Sequence, residues 1–168
     1  MFPLTMPHHP ISGEEGKIKV IFLDVDGVIN KRGTPFRTIN GILTMAAPEL
    51  VYRLNLVVDR TDCELVLSSS WRHHPDWRKA MKASGIVKPF LDCTPYRVDH
   101  KKYGIPFDML CRGHNIQGWL DTHPEVERYA IIDDCPDMLN SQRQNFFQTN
   151  AIHGLTQEIA DSVEKHLS

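Results

Sequence analysis

The sequence predicts an α/β domain of Rossmann-like, three-layer α/β/α architecture with a mostly parallel central sheet. Three apolar runs each end in polar residues, which is typical of buried parallel strands. Segments with helical spacing separate these runs, so that strand and helix alternate along the chain. The ligand crevice of such a sheet lies beyond the carboxyl ends of its strands. We therefore expect the polar residues to meet at one site.

The apolar runs define the predicted strands. The first strand is expected over residues 17–24, where alternating charge gives way to Val-Ile-Phe-Leu. The second run, residues 65–67, leads into three serines, and the third, residues 129–132, leads into two aspartates. Two weaker runs predict further strands at residues 89–93 and 145–149.

Four segments have the apolar spacing of helices. Pro48 suits a first helical turn, because its ring fixes φ and that position needs no N–H donor. Gly85 is expected to stop a helix over residues 77–83. A third helix contains Ile116 and ends near Pro124, and a fourth spans residues 156–167 with a threonine cap.

Length and composition favour one domain. The chain has 168 residues and is 41% hydrophobic, which is enough to bury a core. Residues 1–16 hold three prolines and no long apolar run, so we expect a flexible tail there rather than a signal peptide or membrane anchor. A single domain is expected over residues 17–168.

Charge and cysteine content exclude some functional classes. The formal net charge of -2 argues against a protein that is basic as a whole, although a local basic patch stays open. The four cysteines form no Cys-x-x-Cys pair, which argues against a zinc ribbon or a dithiol redox site. Scattered, reduced thiols are typical of a cytoplasmic protein, and we expect that location.

Asp24 and Asp26 follow the first strand directly and need a physical explanation. A carboxylate at the end of a buried strand is costly to desolvate unless a cation or hydrogen bonds compensate it. In extended geometry both side chains point to the same side, and Gly27 allows a sharp turn beside them. Mg²⁺ binds one or two carboxylates together with phosphate oxygens. Asp24, Asp133 and a substrate phosphate match that ligand set.

The Asp24-Val-Asp-Gly27 run after an apolar strand resembles the first motif of the haloacid dehalogenase (HAD) superfamily of phosphotransferases. The resemblance implies that Asp24 is the nucleophile and carries an aspartyl-phosphate intermediate. It also implies that Asp26 protonates the leaving oxygen and then deprotonates the hydrolytic water. The Mg²⁺ ligands would come from Asp24, Asp26, Asp133 and Asp134.

The other motifs of the superfamily indicate phosphate ligands. Ser68 closes the second apolar strand and would hold a phosphoryl oxygen, with the backbone N–H of Ser69 as an adjacent donor. Arg112 lies before a helix, at about the family's usual distance upstream of the acidic motif, and would neutralise the phosphoryl group. Lys101 and Lys102 are the alternative cations.

Trp71 and Arg72 come immediately after the serines and have two interpretations. Arg72 binds a second phosphate and Trp71 stacks on a base, or Trp71 packs under the sheet while Arg72 forms a structural ion pair. We regard Arg72 as a candidate substrate ligand. The motifs resemble small HAD domains found beside RNA-repair enzymes, which implies a nucleotide or a nucleic-acid terminal phosphate as substrate.

The segments that carry caps in HAD enzymes are short here. Residues 30–47 and 69–111 leave no room for a large independent cap, so we expect a minimal cap or none. An open site suits bulky substrates such as polynucleotide ends. Lys31, Arg32 and Arg37 would then form a basic rim.

The sequence therefore predicts an Mg²⁺-dependent HAD phosphatase with no obligate protein partner and no membrane association. Two alternatives stay open. One is a module that keeps the fold but only binds phosphate or a partner. The other is a phosphotransferase whose acceptor is not water, because both reactions share the same first half.

Overall fold

The computed structural model describes residues 16–168, so the predicted tail lies outside the described residues apart from Gly16. Strands and helices alternate as expected. The strands are β1 (Ile18–Leu23), β2 (Arg37–Ile39), β3 (Ile42–Thr44), β4 (Glu64–Leu67), β5 (Phe90–Cys93), β6 (Val126–Asp133) and β7 (Phe146–Gln148). The helices are α1 (Pro48–Thr61), α2 (Trp77–Ala83), α3 (Arg112–Leu120) and α4 (Gln157–Leu167). Short 3-10 turns occupy Ser70–His73, His100–Tyr103, Phe107–Met109 and Asn140–Asn145.

Five strands form one parallel sheet in the order β5-β4-β1-β6-β7, with β1 at its centre. Successive side chains of β1 enter different cores, because a strand presents alternate residues to opposite faces. Ile21 and Leu23 pack with α1, α2 and α4, whereas Val20 and Phe22 pack with α3. Helices therefore cover both faces of the sheet. The predicted three-layer α/β/α architecture is confirmed.

The helix ends follow the local signals in the sequence. Pro48 occupies the first turn of α1, which ends at Asp62 in the left-handed conformation. The Thr156 side chain caps α4 by accepting a hydrogen bond from the Ile159 N–H at 3.3 Å. α3 begins earlier than its apolar residues indicate, at Arg112. This early start places Arg112 at the first position of the helix.

The antiparallel hairpin β2-β3 was not predicted. Its two-residue turn consists of Asn40 and Gly41, which both have positive φ. Asn-Gly is the strongest short sequence signal for such a turn, so the hairpin could have been recognised. The hairpin packs against α2 and fills the segment in which we expected at most a minimal cap.

The carboxyl ends of the parallel strands lie at one edge of the sheet, and a buried polar residue follows or ends each of them. Backbone hydrogen bonds continue past the strands, from Asp24 N to Ile132 O (3.0 Å) and from Ser68 N to Leu23 O (2.8 Å). These bonds hold the polar residues in one row. In the order of the strands from β5 to β7, the row is Thr94, Ser68, Asp24, Asp133 and Thr149.

No helix within residues 16–168 has the length and apolar character that crossing a membrane requires. The four cysteines, all within this part of the chain, are unpaired thiols.

We expect Leu54→Ala to lower the free energy of unfolding by about 2–5 kcal/mol, because Leu54 is fully buried in α1 and its truncation leaves a cavity. Leu43→Ala is the matched control. This leucine is 49% exposed on β3, so the same change should cost less than about 1 kcal/mol. Urea denaturation measures the free energy of unfolding of both variants. Equal losses would contradict the assigned core.

Candidate active site

Three carboxylates meet at the carboxyl edge of β1 and β6. Asp24, Asp133 and Asp134 each offer an oxygen, and these oxygens all lie within 4.8 Å of one another. Asp24 and Asp133 are buried, with exposed fractions of 5% and 0%, whereas Asp134 is half-buried. So many carboxylate oxygens repel one another unless positive charge lies between them. Hard oxygen donors in this number fit the preference of Mg²⁺.

Arg112 supplies positive charge to this cluster from the first turn of α3. Its Nη1 lies 3.1 Å from Asp24 Oδ1 and 2.5 Å from Asp133 Oδ2. The same nitrogen donates a hydrogen bond to the Ser68 carbonyl at 3.1 Å. The Arg112 backbone N–H donates to the Asp137 carboxylate at 3.3 Å, which fixes the start of the helix. One guanidinium therefore joins β1, β4 and β6 at the site.

Burial raises the pKa of both inner carboxylates, and the charge of Asp24 adds to this effect at Asp133. Burial raises the pKa of Asp24, although the nearby charge of Arg112 opposes this effect. Burial and the charge of Asp24 outweigh Arg112 and raise the pKa of Asp133 to about 7. The pair therefore retains a proton at mildly acidic pH. A divalent cation would favour the fully ionised form.

Asp26 lies outside this cluster. The strand ends at Leu23 and the chain turns, so the two-residue alternation that predicted a shared direction for Asp24 and Asp26 no longer applies. The exposed Asp26 carboxylate accepts hydrogen bonds from Asn30 Nδ2 at 2.8 Å and from Trp71 Nε1 at 3.2 Å. Each oxygen of Asp26 is thus held by one donor. The cluster contains no Asp26 oxygen, unlike the predicted ligand set.

Ser68 presents a hydroxyl that is ready to donate. Its Oγ is buried and has no hydrogen-bond partner among residues 16–168. The neighbouring Ser69 Oγ instead accepts from the Trp71 N–H at 3.4 Å. A buried hydroxyl normally has a partner, so Ser68 Oγ is free to donate to an acceptor such as a phosphoryl oxygen. Of these two serines, Ser68 has the free hydroxyl.

Arg72 is half-buried beside the serine turn. Its Nη1 donates to the Ser69 carbonyl at 3.1 Å and to Thr94 Oγ1 at 3.3 Å. Burial and the charge of Arg112 lower the pKa of Arg72. No carboxylate in the described part of the chain pairs with it, so the structural ion pair that was one interpretation is not formed.

Neither alternative cation pairs with a carboxylate of the cluster. Lys102 Nζ pairs with Asp121 at 2.6 Å, and the exposed Lys101 donates its backbone N–H to Asp99. Among residues 16–168, Arg112 is the cation that contacts the clustered carboxylates.

A family model described as the HAD domain in Swiss Army Knife RNA repair proteins matches residues 20–160. The chain belongs to this HAD family. No curated protein matches the sequence. The family match covers every member of the polar row, so the predicted HAD resemblance is confirmed.

Sequence reasoning missed two residues that support the site of this HAD domain. Asn30 holds Asp26, and its Oδ1 also accepts from the Gly27 N–H at 2.9 Å. Thr149 Oγ1 donates to the Gly27 carbonyl at 2.7 Å. Thr149 ends a predicted strand just as Ser68 does, and that position was a usable signal. No spacing pattern singles out Asn30.

Gly27 brings the first motif of the HAD domain against Asp134. Its φ is +76°, and a Cβ built on it would lie 2.5 Å from Asp134 Oδ2. No side chain fits in that space without displacing the carboxylate. Gly27 thus allows the sharp turn after β1 and leaves space for Asp134, a candidate metal ligand.

We expect Gly27→Ala to weaken the apparent Mg²⁺ affinity about tenfold or more, because the new methyl group displaces Asp134. Gly33→Ala is the control, since Gly33 also has positive φ but open space around it. The measurement is the melting temperature over a Mg²⁺ titration. If both variants respond to Mg²⁺ alike, Asp134 is not a metal ligand.

We expect pH to separate wild type from Asp133→Asn. The folded-state pKa of Asp133 is about 7, above an unfolded value near 3.9, so its contribution to stability is lost as pH rises between these values. In EDTA, the stability of Asp133→Asn relative to wild type should increase over this window. Thermal melts at each pH test this. With Mg²⁺ above pH 7, wild type should gain stability and the variant should gain little.

Proposed function

We propose that this HAD domain is an Mg²⁺-dependent phosphomonoesterase that works through an aspartyl-phosphate on Asp24. The observation that carries the proposal is the convergence of Asp24, the unpartnered Ser68 hydroxyl and Arg112 at one edge of the sheet. A nucleophile, a neutral donor and a cation are what phosphoryl transfer requires from a protein.

In the first half-reaction, a carboxylate oxygen of Asp24 attacks phosphorus and the bond from phosphorus to the leaving oxygen breaks. Asp26 transfers its proton to that oxygen, so the leaving group departs as an alcohol. Ser68 Oγ donates a hydrogen bond to a phosphoryl oxygen, and Arg112 offsets the negative charge. Asn30 and Trp71 hold Asp26 in place for this transfer.

In the second half-reaction, Asp26 is a carboxylate and accepts a proton from a water molecule. The water oxygen bonds to phosphorus, the bond from phosphorus to Asp24 breaks, and inorganic phosphate leaves. Asp24 is again a free carboxylate, and Asp26 is again protonated. One side chain thus serves as acid and then as base, which requires that it stay close to the reacting oxygen.

Asp24, Asp133 and Asp134 are the residues that would hold Mg²⁺. When bound, Mg²⁺ supplies charge neutralisation to the phosphoryl oxygens and to the carboxylates around them. Arg112 contributes positive charge from the protein itself, because it contacts Asp24 and Asp133.

The leading substrate of the proposed reaction is the terminal phosphate of a nucleotide or a nucleic acid. The description of the family, which refers to RNA repair, supports this choice. The small β2-β3 hairpin supports it as well, because a site without a large cap admits the end of a polymer. The unpaired cysteines are compatible with the cytoplasmic location that we propose.

We expect purified protein with Mg²⁺ to release phosphate from a panel that includes 3′- and 5′-phosphorylated oligonucleotides. Asp24→Asn should lower kcat by about 10³-fold or more, and Asp26→Asn by about 10²–10⁴-fold. Asp59→Asn is the matched control, since Asp59 is exposed on α1. Phosphate release is measured by a colorimetric assay.

Two outcomes would contradict the proposal. Equal phosphate release by wild type and Asp24→Asn would remove Asp24 from the reaction. If beryllofluoride fails to attach to Asp24 and no substrate is hydrolysed, the domain only binds phosphate. Hydrolysis in ¹⁸O-labelled water separates transfer to water, which labels the released phosphate, from transfer to another acceptor.

A further inference from the structure

A surface of aromatic and basic side chains adjoins the serine turn, and none of its contacts is used in the reaction described above. Tyr96 lies at its centre and is 58% exposed. The guanidinium carbons of Arg72 and Arg97 lie 5.8 Å and 5.3 Å from the Tyr96 ring centroid. We call it the Tyr96 surface, and its members are Arg72, His73, Tyr96, Arg97 and Phe107.

The Tyr96 surface carries positive charge that forms no ion pair with the carboxylates of residues 16–168. Neither Arg72 nor Arg97 has a carboxylate within 4.0 Å in residues 16–168, whereas Arg112 contacts two carboxylates. Asp99, an acidic residue close to Arg97 in the chain, instead accepts a hydrogen bond from the Lys101 N–H at 3.0 Å. This arrangement complements an anion at a position separate from the acidic cluster.

The Tyr96 surface is continuous with the active site through Arg72. The Arg72 Nη1 hydrogen bonds to Ser69 and Thr94 hold its guanidinium at the carboxyl edge of β4 and β5. The Nε of Arg72 is buried and has no partner within the described residues. Arg72 thus extends from the turn that carries Ser68 to the ring of Tyr96. A polymer whose terminal phosphate reaches Ser68 would meet this surface next.

The chemistry of the surface favours nucleotides over a phosphorylated peptide. An exposed aromatic ring offers a stacking face to any base, and arginines beside it pair with backbone phosphates. A peptide next to a phosphorylated side chain has neither a regular series of phosphates nor planar bases. Bases are free to stack on protein rings when the strand is single.

We propose that the Tyr96 surface binds the nucleotides that adjoin the phosphorylated terminus of a single-stranded nucleic acid. This inference rests on the proposed function, and it adds the residues that select a polymer over a small phosphate ester. Tyr96 stacks on a base, and Arg72 and Arg97 contact the internal phosphates. Single-stranded DNA and RNA share this chemistry.

The test compares kcat/KM for three kinds of substrate. These are single-stranded DNA and RNA of about ten nucleotides with a terminal phosphate, p-nitrophenyl phosphate, and a phosphoserine peptide. For Tyr96→Ala and Arg97→Ala, the ratio of kcat/KM for the oligonucleotide to that for p-nitrophenyl phosphate should fall about tenfold. Tyr96→Phe should keep the wild-type ratio, because it keeps the stacking ring.

Matched controls carry the same substitutions elsewhere. Tyr52→Ala removes an exposed tyrosine from α1, and Arg143→Ala removes an exposed arginine near the amino end of β7, away from the carboxyl edge. Both should keep the wild-type ratio. An unchanged ratio in Tyr96→Ala and Arg97→Ala would overturn the inference, and so would a preference for the phosphoserine peptide.

A binding measurement separates this inference from the proposed function. Fluorescence polarisation follows a labelled, unphosphorylated oligonucleotide on full-length Asp24→Asn protein, with and without Tyr96→Ala. We expect about tenfold weaker binding with Tyr96→Ala, and a smaller salt dependence with Arg97→Ala. Binding that depends on Tyr96, together with no phosphate release from any substrate by the wild-type protein, would reject the proposed function alone. No oligonucleotide binding, or binding that Tyr96→Ala leaves unchanged, would reject the inference.

Discussion

The site depends on the burial of Asp24 and Asp133 next to each other. Two ionised carboxylates removed from water repel each other strongly, and opposite charge placed between them lowers this cost. Arg112 meets this requirement from α3, on the opposite side of the sheet from α1 and α4. The first turn of α3 is therefore part of the site as well as part of the fold.

The parallel register of the sheet then determines which residues accompany these carboxylates. Backbone bonds from Asp24 and Ser68 extend the ladder by one residue on either side of the central strand. The polar residues that follow or end the strands consequently lie side by side along one edge of the sheet. Gly27 and Thr149 secure the turn after β1, because one allows close approach to Asp134 and the other bonds the turn's backbone.

Much of the fold was predictable, because buried parallel strands are continuous apolar runs and helices have periodic stripes. The ends of β1, β4 and β6 were recognisable for this reason. Asp24, Ser68 and Asp133 lie at these ends, so they could be predicted as site residues. The β2-β3 hairpin was missed because its strands are short and β2 is fully exposed. The sequence of β2 therefore lacks the alternation of apolar and polar residues that marks a half-buried strand. Only its Asn40-Gly41 turn marked it.

The remaining parts of the site depend on contacts between residues that are distant in the chain. Trp71 donates to Asp26 across 45 positions, and no local pattern reports such a contact. The same holds for the contact of Arg72 with Tyr96, which joins the segments that follow the paired strands β4 and β5. Strand ends could be predicted from the sequence, whereas the pairing of loops required the three-dimensional structure.

The clustered polar residues lie at strand ends and the Tyr96 surface lies in loops, and this difference has an evolutionary consequence. The clustered polar residues are anchored to backbone ladders in the centre of the sheet, where an inserted residue would shift several of them together. Tyr96 and Arg97 lie beyond β5, at the sheet edge, where the chain changes length at little energetic cost. In the function that we propose, substrate range can therefore change through this loop while the polar row stays the same.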